Sequence, residues 1–184
     1  MFIQTEATPN PATLKFLPGR AVLEGSTADF PDAEAATRSP LAERLFEVAG
    51  VSGVFLGSDF ITVTKQQDSD WQLMKPAILG VIMEHFTAGR PTLLDAPDAA
   101  DEEVNVDEDP IVVQIKDLID TRVRPAVAMD GGDIIFHRFE DGVVYLQMQG
   151  ACSGCPSSSA TLKVGIENML RHYIPEVTEV RPVT

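Results

Sequence analysis

Half of the net charge of this 184-residue chain lies in fifteen residues. The formal net charge is −14, and the stretch from Ala96 to Pro110 holds seven acidic residues and no basic one. Met1 to Asp95 holds 12 acidic and 7 basic residues, and Ile111 to Thr184 holds 9 and 7. The acidic stretch is small, polar and nearly free of bulky apolar side chains. Such a segment buries too little surface to offset its ordering entropy, and its like charges keep it extended. It reads as a flexible linker over 96–110 and divides the chain into two small domains, 1–95 and 111–184.

The rest is globular in composition, with 44% hydrophobic and 7% aromatic residues. The acidic balance argues against nucleic acid and anionic membrane as partners. No apolar run approaches the length of a membrane span. The opening residues, Met1 to Ala7, show neither a signal peptide nor an Arg-rich transit segment. The expectation is a cytoplasmic protein of bacterial type.

Hydrophobic periodicity predicts an α+β architecture in both domains. In the first, strands are predicted over 2–8, 13–17, 51–56 and 60–64, with Thr8-Pro9-Asn10-Pro11 as a turn. A helix follows Ser39-Pro40, with Ser39 as N-cap and an apolar face of Leu41, Leu45, Val48 and Ala49, ending at Gly50. A second helix lies between Asp70 and Ala88, and Pro76 is expected to split off its first turn. Trp71 reads as an anchor, and His85 as a helix-face histidine near the C-terminus, where its charge suits the dipole. The second domain reads α-β-β-α-β. Asp109 caps a helix carrying Ile111, Ile115, Leu118 and Ile119, expected to end near Arg124-Pro125. A turn at Asp130-Gly131-Gly132 leads into a hairpin over 133–139 and 143–149. A helix from Pro156 to Tyr173 presents Leu162, Ile166, Met169 and Tyr173, and a last strand spans 177–183.

The chemistry concentrates in one loop. Cys152 and Cys155 are the only cysteines, in Gly150-Ala151-Cys152-Ser153-Gly154-Cys155-Pro156. In a reducing compartment a CxxC reads first as metal-binding or catalytic. Pro156 suits the first helical position, which puts Cys155 at the N-cap. The unpaired N–H groups there favour thiolates. Ser157, Ser158 and Ser159 are placed to cap the same helix end. The small residues between the sulfurs leave them open to solvent and let two such loops approach. A closed thiolate site takes four ligands, and one chain offers two. His137 and His172 fall outside the usual spacing from the cysteines and read as surface or packing residues. A symmetric dimer sharing one site completes the set most simply. The loop is then either a dithiol redox switch or half of a site that a second molecule completes.

Asp130-Gly131-Gly132-Asp133, Gly142-Val143-Val144-Tyr145-Leu146, and Gly150 to Ser158 followed by Thr161-Leu162-Lys163 and Gly165-Ile166-Glu167 resemble the NifU C-terminal domain. Thr8-Pro9-Asn10-Pro11, Leu14-Lys15-Phe16 and Pro18-Gly19 resemble the N-terminal domain of Nfu proteins. This resemblance implies an iron–sulfur cluster scaffold and carrier, and not an enzyme. It implies that Cys152 and Cys155 bind a [4Fe-4S] cluster across a homodimer, although four thiolates suit a [2Fe-2S] centre equally. Apo iron–sulfur proteins would be the recipients and an upstream assembly scaffold the donor. Two other readings share the motif, a thiol–disulfide oxidoreductase and a zinc-bridged structural dimer.

Overall fold

A computed structural model describes residues 2–94, 109–152 and 156–183, with residues 156–159 described by their backbone alone. The acidic stretch over 96–108 and the residues Ser153, Gly154 and Cys155 therefore lie outside the described residues. The chain divides into two units, Met1–Ala100 and Asp101–Thr184, both mixed α+β.

The first unit is built on an antiparallel five-stranded sheet in the order β1-β2-β5-β4-β3. Its strands are β1 (Gln4–Ala7), β2 (Thr13–Leu17), β3 (Ala28–Phe30), β4 (Val51–Leu56) and β5 (Ile61–Lys65). Alternation sets which face is apolar: Leu14 and Phe16 stand opposite Val63 and Ile61, which face Val54 and Leu56 in turn. Helices α1 (Pro40–Phe46) and α2 (Trp71–Thr87) cover that face with Leu41, Leu45, Met74, Ile78 and Ile82. Each such fully buried side chain is worth about 1.5–3 kcal/mol. Ser39 caps α1 as predicted, its hydroxyl accepting from the Ala42 N–H at 3.1 Å. Helix α1 stops at Phe46, so Val48 and Ala49 lie beyond it. The three-residue strand β3 and the 3-10 turn at Ala35–Arg38 are too short to carry a periodic signal.

Two expectations for α2 change. Pro76 does not split the helix, which runs unbroken from Trp71 to Thr87. Pro76 is exposed, so the carbonyl left without its N–H meets water. Met74, Ile78 and Ile82, buried on the opposite face, outweigh a proline cost of about 3 kcal/mol. Trp71 anchors the helix start, donating its indole N–H to the Pro11 carbonyl at 3.3 Å. His85 lies on the helix as expected, but its surroundings disfavour the charge expected there. It is fully buried, and neither ring nitrogen meets a hydrogen-bond partner among the described residues. Burial first, then the charges of Arg90 and Arg44, hold its imidazolium below the ordinary histidine range.

The second unit opens with a helix that outlasts its expected end. Helix α3 (Pro110–Leu118) passes through a π-helical segment, Ile119–Val123, into α4 (Arg124–Met129). The Arg124 N–H reaches back five residues to the Ile119 carbonyl. This wider turn takes in Pro125 without breaking the helix. Ile115, Ile119, Val123 and Val127 face inward throughout. Strands β6 (Gly132–Glu140) and β7 (Val143–Gly150) form the predicted hairpin, and β8 (Glu179–Val183) pairs parallel to β7. Asp141 and Gly142, at φ 51° and 78°, make the tight turn. Helix α5 (Pro156–Tyr173) buries Ile166 and Leu170, with Leu162 and Met169 packed against the core. Tyr173 was expected on this face but is 44% exposed.

The buried histidine predicts a pH dependence for the first unit. An unfolded histidine titrates near pH 6.5, and the folded value is lower. The unfolded chain therefore binds more protons between the two values. The contribution is complete above about pH 6.5 and is lost as pH falls toward the folded value. Trp71 is the sole tryptophan and reports this unit. Urea unfolding followed by its fluorescence should show a steeper loss of stability between pH 7 and 5.5 in the wild type than in His85→Leu. Equal slopes would contradict a buried neutral imidazole.

Candidate functional site

The start of β6 and the end of β7 bring the conspicuous motifs of the second unit together. Gly132 pairs with Gly150 at the open end of the hairpin. The Ala151 N–H donates to the Gly131 carbonyl at 3.1 Å, tying the cysteine loop to the turn after α4. That turn is fastened to the helix in the same way, by Asp130 N–H to Val127 O and Gly131 N–H to Ala128 O, both 3.1 Å. Gly131, at φ 80°, takes a conformation that side chains resist.

Gly132 is needed for a different reason, which is space. A Cβ built on it would lie 2.5 Å from the Cys152 sulfur and 2.8 Å from the Gln149 carbonyl oxygen. The sulfur thus occupies the room of the missing side chain. Cys152 is 6% exposed and packs with the core of the unit. The expectation that both sulfurs lie open to solvent fails at Cys152 on this account. Cys155 and the hydroxyls of Ser157, Ser158 and Ser159 lie outside the described residues, but α5 does begin at Pro156.

An ion pair holds the same corner from the other side. Asp133, 3% exposed, takes a bidentate grip from Arg124, with Nε to Oδ1 and Nη2 to Oδ2 both at 2.9 Å. Its Oδ1 also accepts the Ile134 N–H at 2.8 Å. Arg124 reaches Asp120 at 3.2 Å through Nη1. Hydrogen bonding to Asp133 holds the guanidinium above its already high range, with burial opposing and Asp120 adding to it. Forked pairs of this kind fix geometry as well as charge. In the sequence Asp133 stands only within a motif and Arg124 only at an expected helix end. Nothing in the nine-residue separation marks them as partners, because the pairing depends on the helix continuing through its π segment.

The two histidines of this unit stay apart from the cysteine loop. His137 is exposed on β6, and His172 is exposed near the end of α5, edge-on to Tyr173 at 5.1 Å. Among the described residues, no three His, Cys, Asp or Glu side chains gather as a metal site. The room at Gly132 fits a thiol that is part of the fold. The loop itself supplies no third ligand from the described residues.

The two-unit α+β build and a single cysteine loop at a helix start define a small thiol-bearing domain carried beside a second domain. The comparisons agree with this division. A family model for the scaffold protein Nfu/NifU N-terminal domain matches residues 3–89. A NifU-like domain model matches residues 115–181. The chain is 56% identical over all its 184 residues to mitochondrial NFU1 iron–sulfur cluster scaffold homologs of Drosophila sechellia and Drosophila erecta. It spans 65% of the length of each. Among solved structures, a NifU-like protein from Saccharomyces cerevisiae is 29% identical with a TM-score of 0.45, covering 50% of this chain and 84% of that one. The chain belongs to the Nfu/NifU scaffold family.

The relatives also overturn the expectation of a bacterial-type cytoplasmic protein. They are named as mitochondrial. Because this chain covers only part of their length, its first residues carry no information on a leader.

The packing of Cys152 is testable. Gly132→Ala forces the sulfur or the strand to move, at a cost of about 1–3 kcal/mol for an overpacked site. In a Cys155→Ser background, iodoacetamide should label Cys152 faster in Gly132→Ala than in the glycine form. Hydrogen exchange should quicken at the joined ends of β6 and β7. An unchanged labelling rate with unchanged protection would contradict the sulfur's place in the Gly132 space.

Proposed function

We propose that this chain is an iron–sulfur cluster carrier whose cargo is held by Cys152 and Cys155 of two copies. The observation that supports it most is the half-site: one CxxC at the start of α5, with no further ligand brought to it by the described residues. Two thiolates per chain leave two positions to be filled, and a second copy supplies them. The relatives' names point to the same cargo. Four thiolates suit a [4Fe-4S] cluster, our preferred reading, and also a [2Fe-2S] one.

Transfer then needs only ligand exchange. A recipient thiolate takes an iron position as Cys152 or Cys155 leaves it, and repetition moves the cluster whole. No electrons change hands and no covalent bond of a substrate is turned over, so the protein is a carrier rather than an enzyme. Cys152 is packed inward in the single chain, so loading requires its side chain to turn out of the Gly132 space. The seat at Gly132 gives the emptied thiol somewhere to return to, shielded from oxidants. The donor is an upstream assembly scaffold and the recipients are apo iron–sulfur proteins. The net charge of −14 disfavours nucleic acid and anionic membrane as alternatives.

Anaerobic reconstitution with iron and sulfide, followed by incubation with an apo-enzyme, tests this reading. The wild type should bind iron and acid-labile sulfide and restore the enzyme. Cys152→Ala and Cys155→Ala should each lose at least about tenfold in bound cluster, since each removes two of four ligands from a dimer. Zinc alone, even after reconstitution, would favour a structural dimer. Mixed disulfides without iron would favour an oxidoreductase.

A further inference from the structure

Resting on the carrier reading and deepening it, we propose that the apolar end of α4, centred on Met129, is where a second copy of this chain docks to complete the ligand set. Met129 is the last residue of α4 and is 76% exposed. It stands three residues before Gly132, whose missing side chain makes room for the Cys152 sulfur. The turn between them is hydrogen-bonded to α4 on one side and to Ala151 on the other. The backbone that follows Met129 is thus tied to the start of the cysteine loop at Ala151. Pro125 and Ala126, one turn earlier on the helix, are exposed as well and carry no charge.

The helix that leaves the loop has a matching character. The exposed positions of α5 from Ala160 to Asn168 include Thr161, Val164 and Gly165, none of them charged, and Val164 is 57% exposed. The charged residues of this stretch turn back onto β8 instead. Lys163 lies 3.7 Å from Glu179, and Glu167 accepts the Val180 N–H at 3.2 Å. Ordinary surface helices do the reverse and send their charges to solvent.

A second copy is the occupant for two reasons. The thiolate count leaves the site incomplete without one. Two chains of net charge −14 also repel, so they approach most readily where exposed apolar side chains outnumber charges; Asp130, exposed next to Met129, is the one carboxylate bounding the end of α4 among the described residues. A two-fold contact lays the same patch on each side. Methionine suits such a contact, because its flexible thioether fits an irregular facing surface.

The test uses the full chain with Met129→Asp, the milder Met129→Gln, and Leu73→Asp as a control. Leu73 is an 81% exposed apolar residue of the first unit. Each is loaded anaerobically with iron and sulfide, and its mass is followed by light scattering over a concentration series. Wild type and Leu73→Asp should dimerise with the cluster at the same concentration. Met129→Asp should need at least ten times more, with Met129→Gln shifted less in the same direction and far-UV circular dichroism unchanged. Loaded Met129→Asp dimerising at the wild-type concentration overturns the docking surface. So does a variant that dimerises normally but hands on its cluster slowly, which assigns the patch to recipients. A wild type that takes up no cluster, or holds one as a monomer, fails the carrier reading itself, and the docking surface falls with it.

Discussion

The second unit is organised around a side chain that is not there. Gly132 leaves a space into which the Cys152 sulfur fits, and the surrounding contacts keep the two in register. Strand pairing sets Gly132 against Gly150, and the Ala151 N–H fastens the loop to Gly131. The Asp133–Arg124 fork then locks the first residues of β6 to the helix before them. That fork exists because a π segment carries the helix past Pro125, where a proline would otherwise have ended it. The helix irregularity, the ion pair and the glycine thus converge on the placement of one thiol.

Among the described residues this arrangement is tied by hydrogen bonds on both sides of Cys152 and is sparing with ligands. A permanent metal centre gains from four ligands on one chain, enclosed and held in place by hydrogen bonds to their outer atoms. A transferable cluster gains from the opposite, since every ligand held on a separable chain can be exchanged. On the carrier proposal the acidic composition has a use, because like-charged copies repel unless something shared holds them together. Family membership places the chain among Nfu/NifU scaffolds.

Much of this was legible in the residues, and the parts that were not have physical reasons. Caps and turns were readable because they depend on local chemistry: Ser39 and Asp109 each cap the helix they precede. The hairpin at Asp141-Gly142 was equally clear. Proline misled twice. Its cost is local, while the burial that outweighs it at Pro76 and the wider turn that accommodates Pro125 come from the whole unit. At His85 the expected charge failed because position along a helix does not tell which side is buried. At the site, the motif containing Gly132 and Asp133 could be seen, but their roles could not. One depends on a contact with Cys152 twenty residues on, and the other on a helix length that the sequence misstates.

The central claim is that one chain carries half a site. Native mass spectrometry of the anaerobically reconstituted protein tests it most directly, because it counts chains and clusters in the same particle. The account predicts one cluster in a particle of two chains, with cluster-free chains found singly. A single chain carrying a complete cluster would contradict it.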